Sequence, residues 1–536
     1  MSLNPIDRNT ATQPLQDQKE PKAQEKISSA MVRALRGIQS MNLDSSEKSS
    51  TYYFPTEKIK LTKTTSETTE VEKMHDFLQK FHPYALFWLR CCSCLSPNFI
   101  PIKWLEKWLQ EKGHINCLKN GNTIIDILKD NKLINYDEGN QHFSLPPFGR
   151  HRSFPPLARE SKAKVLNETL KLLSLIGRDL DCKKFSDWEF LAIWAHHAQF
   201  LLSQDLEDSK ELATLLSQFG RWMEIKGEYE TGLKHHQAAL EIRENLGDDP
   251  ASIIESLGNM ASCSHGLGRY SDGIHYCKKA IDMMNNGFVN DNDPKMGEIY
   301  NYFGNCLFGL KEYEAALKQN KKAYESLKNA IGEEDLSIAD VLCSEGTMRC
   351  ELGQFVKALN LQERALEIKK KKPLAQNDPS MAHSWNSIGV CRFYRKEYQE
   401  AHRLLNTALK IWTKSFGSKH PFLSISYFNI GSCLFKLGRY EKALEHNRQA
   451  LYIACQCFKD DHPFIVLCLK QMVFYLKKIN NETINNQVKK ELFPLCIRYS
   501  GEVRKSVHLL LNVTTRAGKS TSSRVGEHSP HFSSKL

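Results

Sequence analysis

Five groups of residues have types and spacings that could do chemistry. Cys91-Cys92-x-Cys94 and Cys455-x-Cys457 cluster thiols that could ligate a soft metal, but neither has a second ligand pair at zinc-like spacing. His196-His197 lies on an amphipathic helical pattern, where packing is the expected role. His235-His236 shows no acidic or cysteine partner at ligand spacing. Gly518-Lys519-Ser520-Thr521 has the letters of a phosphate cradle. Such a cradle needs a Gly five residues before its last Gly, because backbone amides there wrap the phosphates; Val513 stands at that position. No Ser/His/Asp or paired-carboxylate arrangement stands out. The expectation is a chain without catalytic residues, without a cofactor and without a metal site, and so not an enzyme.

The elements behind these groups explain most of them. Between residues 209 and 466 a phrase of about 42 residues recurs six times. A small residue leads: Gly220, Ala261, Gly304, Gly346, Gly389, Gly431. Nine residues later stands an aromatic: Tyr229, Tyr270, Tyr313, Phe355, Tyr398, Tyr440. A second small residue follows three further on: Gly232, Gly273, Ala316, Ala358, Ala401, Ala443. Seven beyond it is always Ala: Ala239, Ala280, Ala323, Ala365, Ala408, Ala450. A fixed period in this range means stacked supersecondary units. Cys263, Cys306, Cys391 and Cys433 share one register seven residues before the aromatic, which suits a small buried packing residue better than a ligand.

Each unit reads as a helix, a tight turn and an antiparallel second helix. The leading glycine lets the second helix come close, and the aromatic plugs the elbow. Gly227, Gly268, Gly353 and Gly438 suit the turn, where Lys311 and Lys396 break the pattern. Asp249-Pro250, Asp293-Pro294, Asp378-Pro379, His420-Pro421 and His462-Pro463 join the units, with Pro pre-set for the first helical position. Lys369 to Lys372 ends a repeat helix, where positive charge complements the dipole. One unit cannot bury its apolar face alone, so stacking must produce a solenoid with a long concave surface. The fold class is all-α.

The rest of the chain divides by composition. Residues 1–75 are polar and read as a disordered arm, with a transient helix over Ile27–Met41. Residues 76–150 offer three helices, the third capped by Asn122, and a hairpin around Asp137-Glu138-Gly139-Asn140: a winged-helix pattern. The third helix mixes Asp126 and Asp130 with Lys129 and Lys132, a poor match to phosphates, so no nucleic acid is expected. Residues 151–208 form a helical hinge in which Ser186 and Glu189 make a capping box. Residues 467–512 are capping helices, with a seventh unit starting at Val466 and a more polar outer face, and 513–536 are a disordered tail. The net charge of +11 is spread out and reads as solubility. The apolar stretch Tyr84–Ile102 is interrupted by Arg90, Pro97 and Asn98, so no membrane partner is expected. With no secretory signal, a cytoplasmic location and reduced thiols are the default. Ser534-Lys535-Leu536 matches a peroxisomal address and gives the alternative location.

The landmarks and the His-Pro joints resemble tetratricopeptide repeats of the long, kinesin-light-chain variety, over about 260 residues. In that family the first helix of each unit lines the inner groove, often through asparagines ahead of the small residue. The resemblance therefore nominates Asn259, Asn301, Asn386 and Asn429, with Asn305 one residue past Gly304; Ser217, Gln218, Cys343 and Ser344 break the pattern. It implies an adaptor that holds a peptide or helix of another protein. The winged-helix pattern followed by "WAHHAQFLL" and repeats is similar to the region after the ATPase in NB-ARC and NACHT nucleotide-switch proteins. The mostly polar residues ahead of it are too few for a nucleotide-binding sheet. The alternative is thus a regulatory fragment acting with an ATPase on another chain.

Overall fold

The computed structural model describes residues 83–96, 100–111, parts of 125–145, and 159–479 apart from 289–292, 373, 375–377 and 459–461, with scattered positions between 481 and 506. The expected arm and its helix, Asn122, Gly518–Thr521 and the C-terminal tripeptide lie outside the described residues. Contacts divide the chain into two bodies, residues 1–176 with 192–206, and residues 177–191 with 207–536.

In the first body, α1 (Pro83–Ser93) and α2 (Ile102–Glu111) pack Trp88 against Trp108, ring centroids 5.7 Å apart. The expected hairpin is present as β2 (Asn135–Asp137) and β3 (His142–Ser144). A strand absent from the sequence reading, β1 (Ile100–Pro101), pairs antiparallel with β3 and gives the order β1-β3-β2, with Phe143 fully buried at its centre. α3 (Arg159–Asp179) and α4 (Trp188–Leu202) begin and end across the division. The histidine pair on α4 packs as expected: His196 Nε2 lies 2.8 Å from Ser96 Oγ, and His197 sets its ring edge on Trp104. Ser186 is not the N-cap of α4. A 3-10 turn over Phe185–Asp187 precedes the helix, and the Ser186 hydroxyl bonds to Asp187 instead.

The second body is a stack of helical hairpins. α5 (Lys210–Ile225) and α6 (Tyr229–Leu246) make unit 1, α7 (Pro250–Gly266) and α8 (Tyr270–Met283) unit 2, α9 (Pro294–Gly309) and α10 (Tyr313–Ile331) unit 3. α11 (Leu336–Glu351) and α12 (Phe355–Lys371) make unit 4, α13 (Pro379–Tyr394) and α14 (Tyr398–Phe416) unit 5, α15 (Pro421–Lys436) and α16 (Tyr440–Cys457) unit 6. α17 (Pro463–Ile479) opens unit 7, three residues before the expected Val466. Its inner face is apolar, with Ile465, Cys468, Leu469, Met472 and Tyr475 all buried, and Lys470, Lys477 and Lys478 are exposed.

The landmarks do what their sizes dictate. A Cβ added at Gly431 would meet the Ala443 carbonyl at 3.0 Å, and one at Gly304 would meet that of Ala316 at 3.1 Å. Ala316, Ala323, Ala401, Ala408, Ala443 and Ala450 are fully buried in the seams. At Gly389 the neighbour is the Leu405 side chain, 2.9 Å from such a Cβ. The elbow aromatic packs on the end of its own first helix in units 2, 3, 5 and 6, Tyr270 on His265, Tyr313 on Phe308, Tyr398 on Phe393 and Tyr440 on Phe435. It also faces the next unit: Gly266 and Gly309 leave room for Tyr229 and Tyr270. Lys311 and Lys396 adopt the same left-handed turn (φ 68) as the glycines they replace.

The joints cap their helices. Asp249, Asp293 and Asp378 each accept a backbone N–H of the first turn, with Pro at the start. At the last two joints an imidazole does the capping: His420 Nδ1 accepts from Phe422 N and His462 Nδ1 from Phe464 N, both at 3.2 Å. The other ring nitrogen of each reaches a distant unit. His420 Nε2 donates to the Ile225 carbonyl at 3.0 Å, across 195 residues, and His462 Nε2 to the Gly266 carbonyl at 3.3 Å, across 196. Pro421 and Pro463 press on Gly227 and Gly268, where no Cβ would fit. Phe416 and Phe458 stack on the two imidazoles at 3.8 Å. Unit 6 thus docks on unit 1 and unit 7 on unit 2, so the superhelix closes each turn after five units.

Candidate binding groove

The first helices repeat certain side chains at fixed steps from the leading small residue. Six residues before it stand Glu255, Glu298, Asp340 and His383; two before it stand Asn259 and Tyr302. In units 1 to 3 these steps wall a cavity of about 530 Å³, lined among others by Arg221, Glu224, Glu255, Asn259, Glu298 and Tyr302. Cys182 and Lys183, from the segment ahead of the repeats, complete its wall. The carboxylates are paired. Glu255 meets Lys295 at 3.2 Å, Asp340 meets Lys369 at 3.0 Å, and Glu298 meets Lys183. The surrounding concave wall works to raise the Asp340 carboxyl, although the side chain is 58% exposed, and Lys369 beside it holds it below its ordinary value. Burial pushes the Cys182 thiol up to about 11, which leaves it protonated and unreactive at neutral pH.

The five nominated asparagines divide. Asn259 lines the cavity, and its buried Nδ2 has no hydrogen-bond partner. Asn301 accepts a hydrogen bond from Asn320 of the second helix at 3.3 Å. Asn305 is half-buried and is not part of the cavity wall. Asn386 and Asn429 meet each other, Asn429 Nδ2 donating to Asn386 Oδ1 at 3.3 Å, in a buried rung between units 5 and 6. The acidic column of Glu255, Glu298 and Asp340 escaped the sequence reading, although its constant offset from the small residue was there to be read.

His235-His236 needs a correction. Its partners are absent from the neighbouring sequence but present in space: Glu224 and Cys263 bring ligand atoms within 4.8 Å of His236. The hairpin and the next unit supply them, which sequence spacing cannot register. The carboxylate is already engaged, by His236 Nε2 at 2.9 Å and Ser262 Oγ at 2.8 Å. The arrangement is a hydrogen-bonded knot tying unit 1 to unit 2. The four cysteines of the common register, Cys263, Cys306, Cys391 and Cys433, are buried packing residues, as expected.

A sequence-family model of the tetratricopeptide repeat matches residues 252–329, 295–371 and 380–456, on the helical hairpins just described. The units are tetratricopeptide repeats. Tetratricopeptide repeats are generally non-catalytic interaction scaffolds, and no described helix is long and apolar enough to cross a membrane. The chain is 22% identical over 223 residues to the RxLR effector protein SFI4 of Phytophthora infestans, covering 40% of this chain and 63% of the relative. It is 26% identical over 150 residues to the outer dynein arm-docking complex subunit 4 of Danio rerio, covering 28% of this chain and 29% of the relative. It therefore spans less than two thirds of either relative. Among solved structures, a signal transduction ATPase with numerous domains from Pyrococcus horikoshii, which has a tetratricopeptide repeat sensor, aligns at 16% identity and a TM-score of 0.48, over 86% of this chain and 64% of that one.

Proposed function

We propose that this chain is a non-enzymatic adaptor whose repeats hold a peptide or helix of a partner protein on their concave face. One observation carries the reading. The cavity wall is built by the first helices of three successive units, and it gathers Asn259, Tyr302, Glu298 and Arg221 around one opening. Mixed charge and an aromatic, Tyr302, around the Asn259 amide suit a peptide better than a nucleotide. The test is affinity capture with the full chain and with Asn259→Ala combined with Tyr302→Ala. The variant is expected to fold and to lose the partner that the parent captures. Unchanged capture by a folded variant would refute the groove.

A further inference from the structure

The acidic column on the concave face has one member whose counter-ion comes from outside the repeats. Glu255 and Asp340 pair with Lys295 and Lys369, both repeat residues. Glu298, between them, pairs with Lys183. Five residues further along the same segment, Trp188 sets its ring edge-on to Trp222, at 6.4 Å and 88°, and lies 5.3 Å from Phe416. A stretch of seven residues thus touches units 1, 3 and 5. Its Lys183 end stands in the cavity wall, and its Trp188 end lies against the joint where His420 meets the end of unit 1's first helix. The stretch is braced by its own hydrogen bonds, Trp188 Nε1 to the Cys182 carbonyl at 3.0 Å and Asp181 N to the Asp187 carboxylate at 3.0 Å. Its cation and its indole are therefore held out on a small rigid knot, as a bound peptide's anchors would be.

We infer that Cys182–Trp188 is a resident pseudo-ligand of the groove, and that the partner segment presents the same two groups: a basic side chain for Glu298 and, about five residues on, an aromatic for the slot between Trp222 and Phe416. The inference rests on the groove reading above and adds to it the chemistry of the occupant. A cation fits because the place Lys183 fills lies beside Glu298 and within the field of Asp340. The cavity's own cations do not alter this. Lys295 is taken up by Glu255, and Arg221 has Glu255 and Glu224 as its neighbours. An aromatic fits because Trp188 meets two rings already in place, Trp222 in unit 1 and Phe416 stacked on His420. Loop and partner exclude each other, so the partner's apparent affinity is reduced by the fraction of molecules whose groove is open.

The experiment uses the full chain and a fluorescein-labelled peptide spanning residues 180–190, carrying Cys182→Ser. Fluorescence anisotropy compares the parent with the variant Lys183→Ala combined with Trp188→Ala. The variant is expected to bind the peptide about ten-fold more tightly than the parent. Adding Glu298→Lys or Trp222→Ala is expected to remove about ten-fold again. If the double variant does not fold, Lys183→Glu, at a half-exposed side chain, serves the same comparison. A folded variant that binds no better than the parent, or that is indifferent to Glu298→Lys, overturns the inference. Partner capture sensitive to Asn259 and Tyr302 would still stand in that case, so the two readings fail separately.

Discussion

At the scale of the residue, two imidazoles work twice. His420 and His462 each accept at Nδ1 to start a helix and donate at Nε2 to a carbonyl five units away. Acceptance at Nδ1 needs the neutral ring, with its proton on Nε2, and burial lowers each pKa to about 4. His420→Asn keeps a capping group but cannot reach Ile225, so it should cost about 1–3 kcal/mol in urea unfolding. His420→Ala also loses the cap and should cost about 1 kcal/mol more. Equal stability of the Asn variant and the parent would show that the distant bond contributes nothing. The pH dependence has a definite sign. His265 and His383 are also depressed to about 4 by burial, so all four are neutral in the fold while the unfolded chain takes up protons below its ordinary value of 6.5. Stability should be full above about pH 6.5 and fall as pH drops toward 4. The melting temperature should follow that course, with a shallower fall when both His420 and His462 are Asn. The sequence displayed the His-Pro pairs as joints, because Pro constrains its own φ. It could not display the second use of the ring, whose partner lies 195 residues away.

At the scale of the element, the period was legible because the seams leave no freedom. Ala450 has no exposed surface, and Ala450→Leu should overpack its seam by about 1–3 kcal/mol, read as a lower denaturation midpoint at constant slope. The turns give the opposite prediction. Lys311 and Lys396 hold a left-handed conformation that costs a side chain about 1–2 kcal/mol, less the extra flexibility glycine adds to the unfolded chain. Lys311→Gly with Lys396→Gly should therefore raise stability by about 1 kcal/mol; a loss would mean the lysine side chains hold the turns. Elements outside the period were less legible. The rule that a serine three residues before a glutamate caps a helix failed at Ser186, because the preceding chain winds into a 3-10 turn and Asp187 captures the hydroxyl. β1 was missed because its two residues show no alternation to read.

At the scale of the molecule, concave and convex faces followed from the period, while the groove's chemistry followed only in part. Asn259 was visible through its register. Asn429 shares that register and Asn386 stands one residue earlier in its own unit, but the two turn toward each other instead. Lys183 and Trp188 gave no signal, because they belong to no repeat and find their partners only once the superhelix has closed. That closure has a consequence for how the array can change. A solenoid held by neighbour contacts alone tolerates loss of any unit. Here each late joint must meet the turn of the unit five places earlier. Excision of unit 3 would carry His462 onto the turn at Gly227 and leave Gly268 facing nothing. The array therefore counts its own members: it can grow or shrink at an end, and a change in the middle forces every later joint to find a new mate.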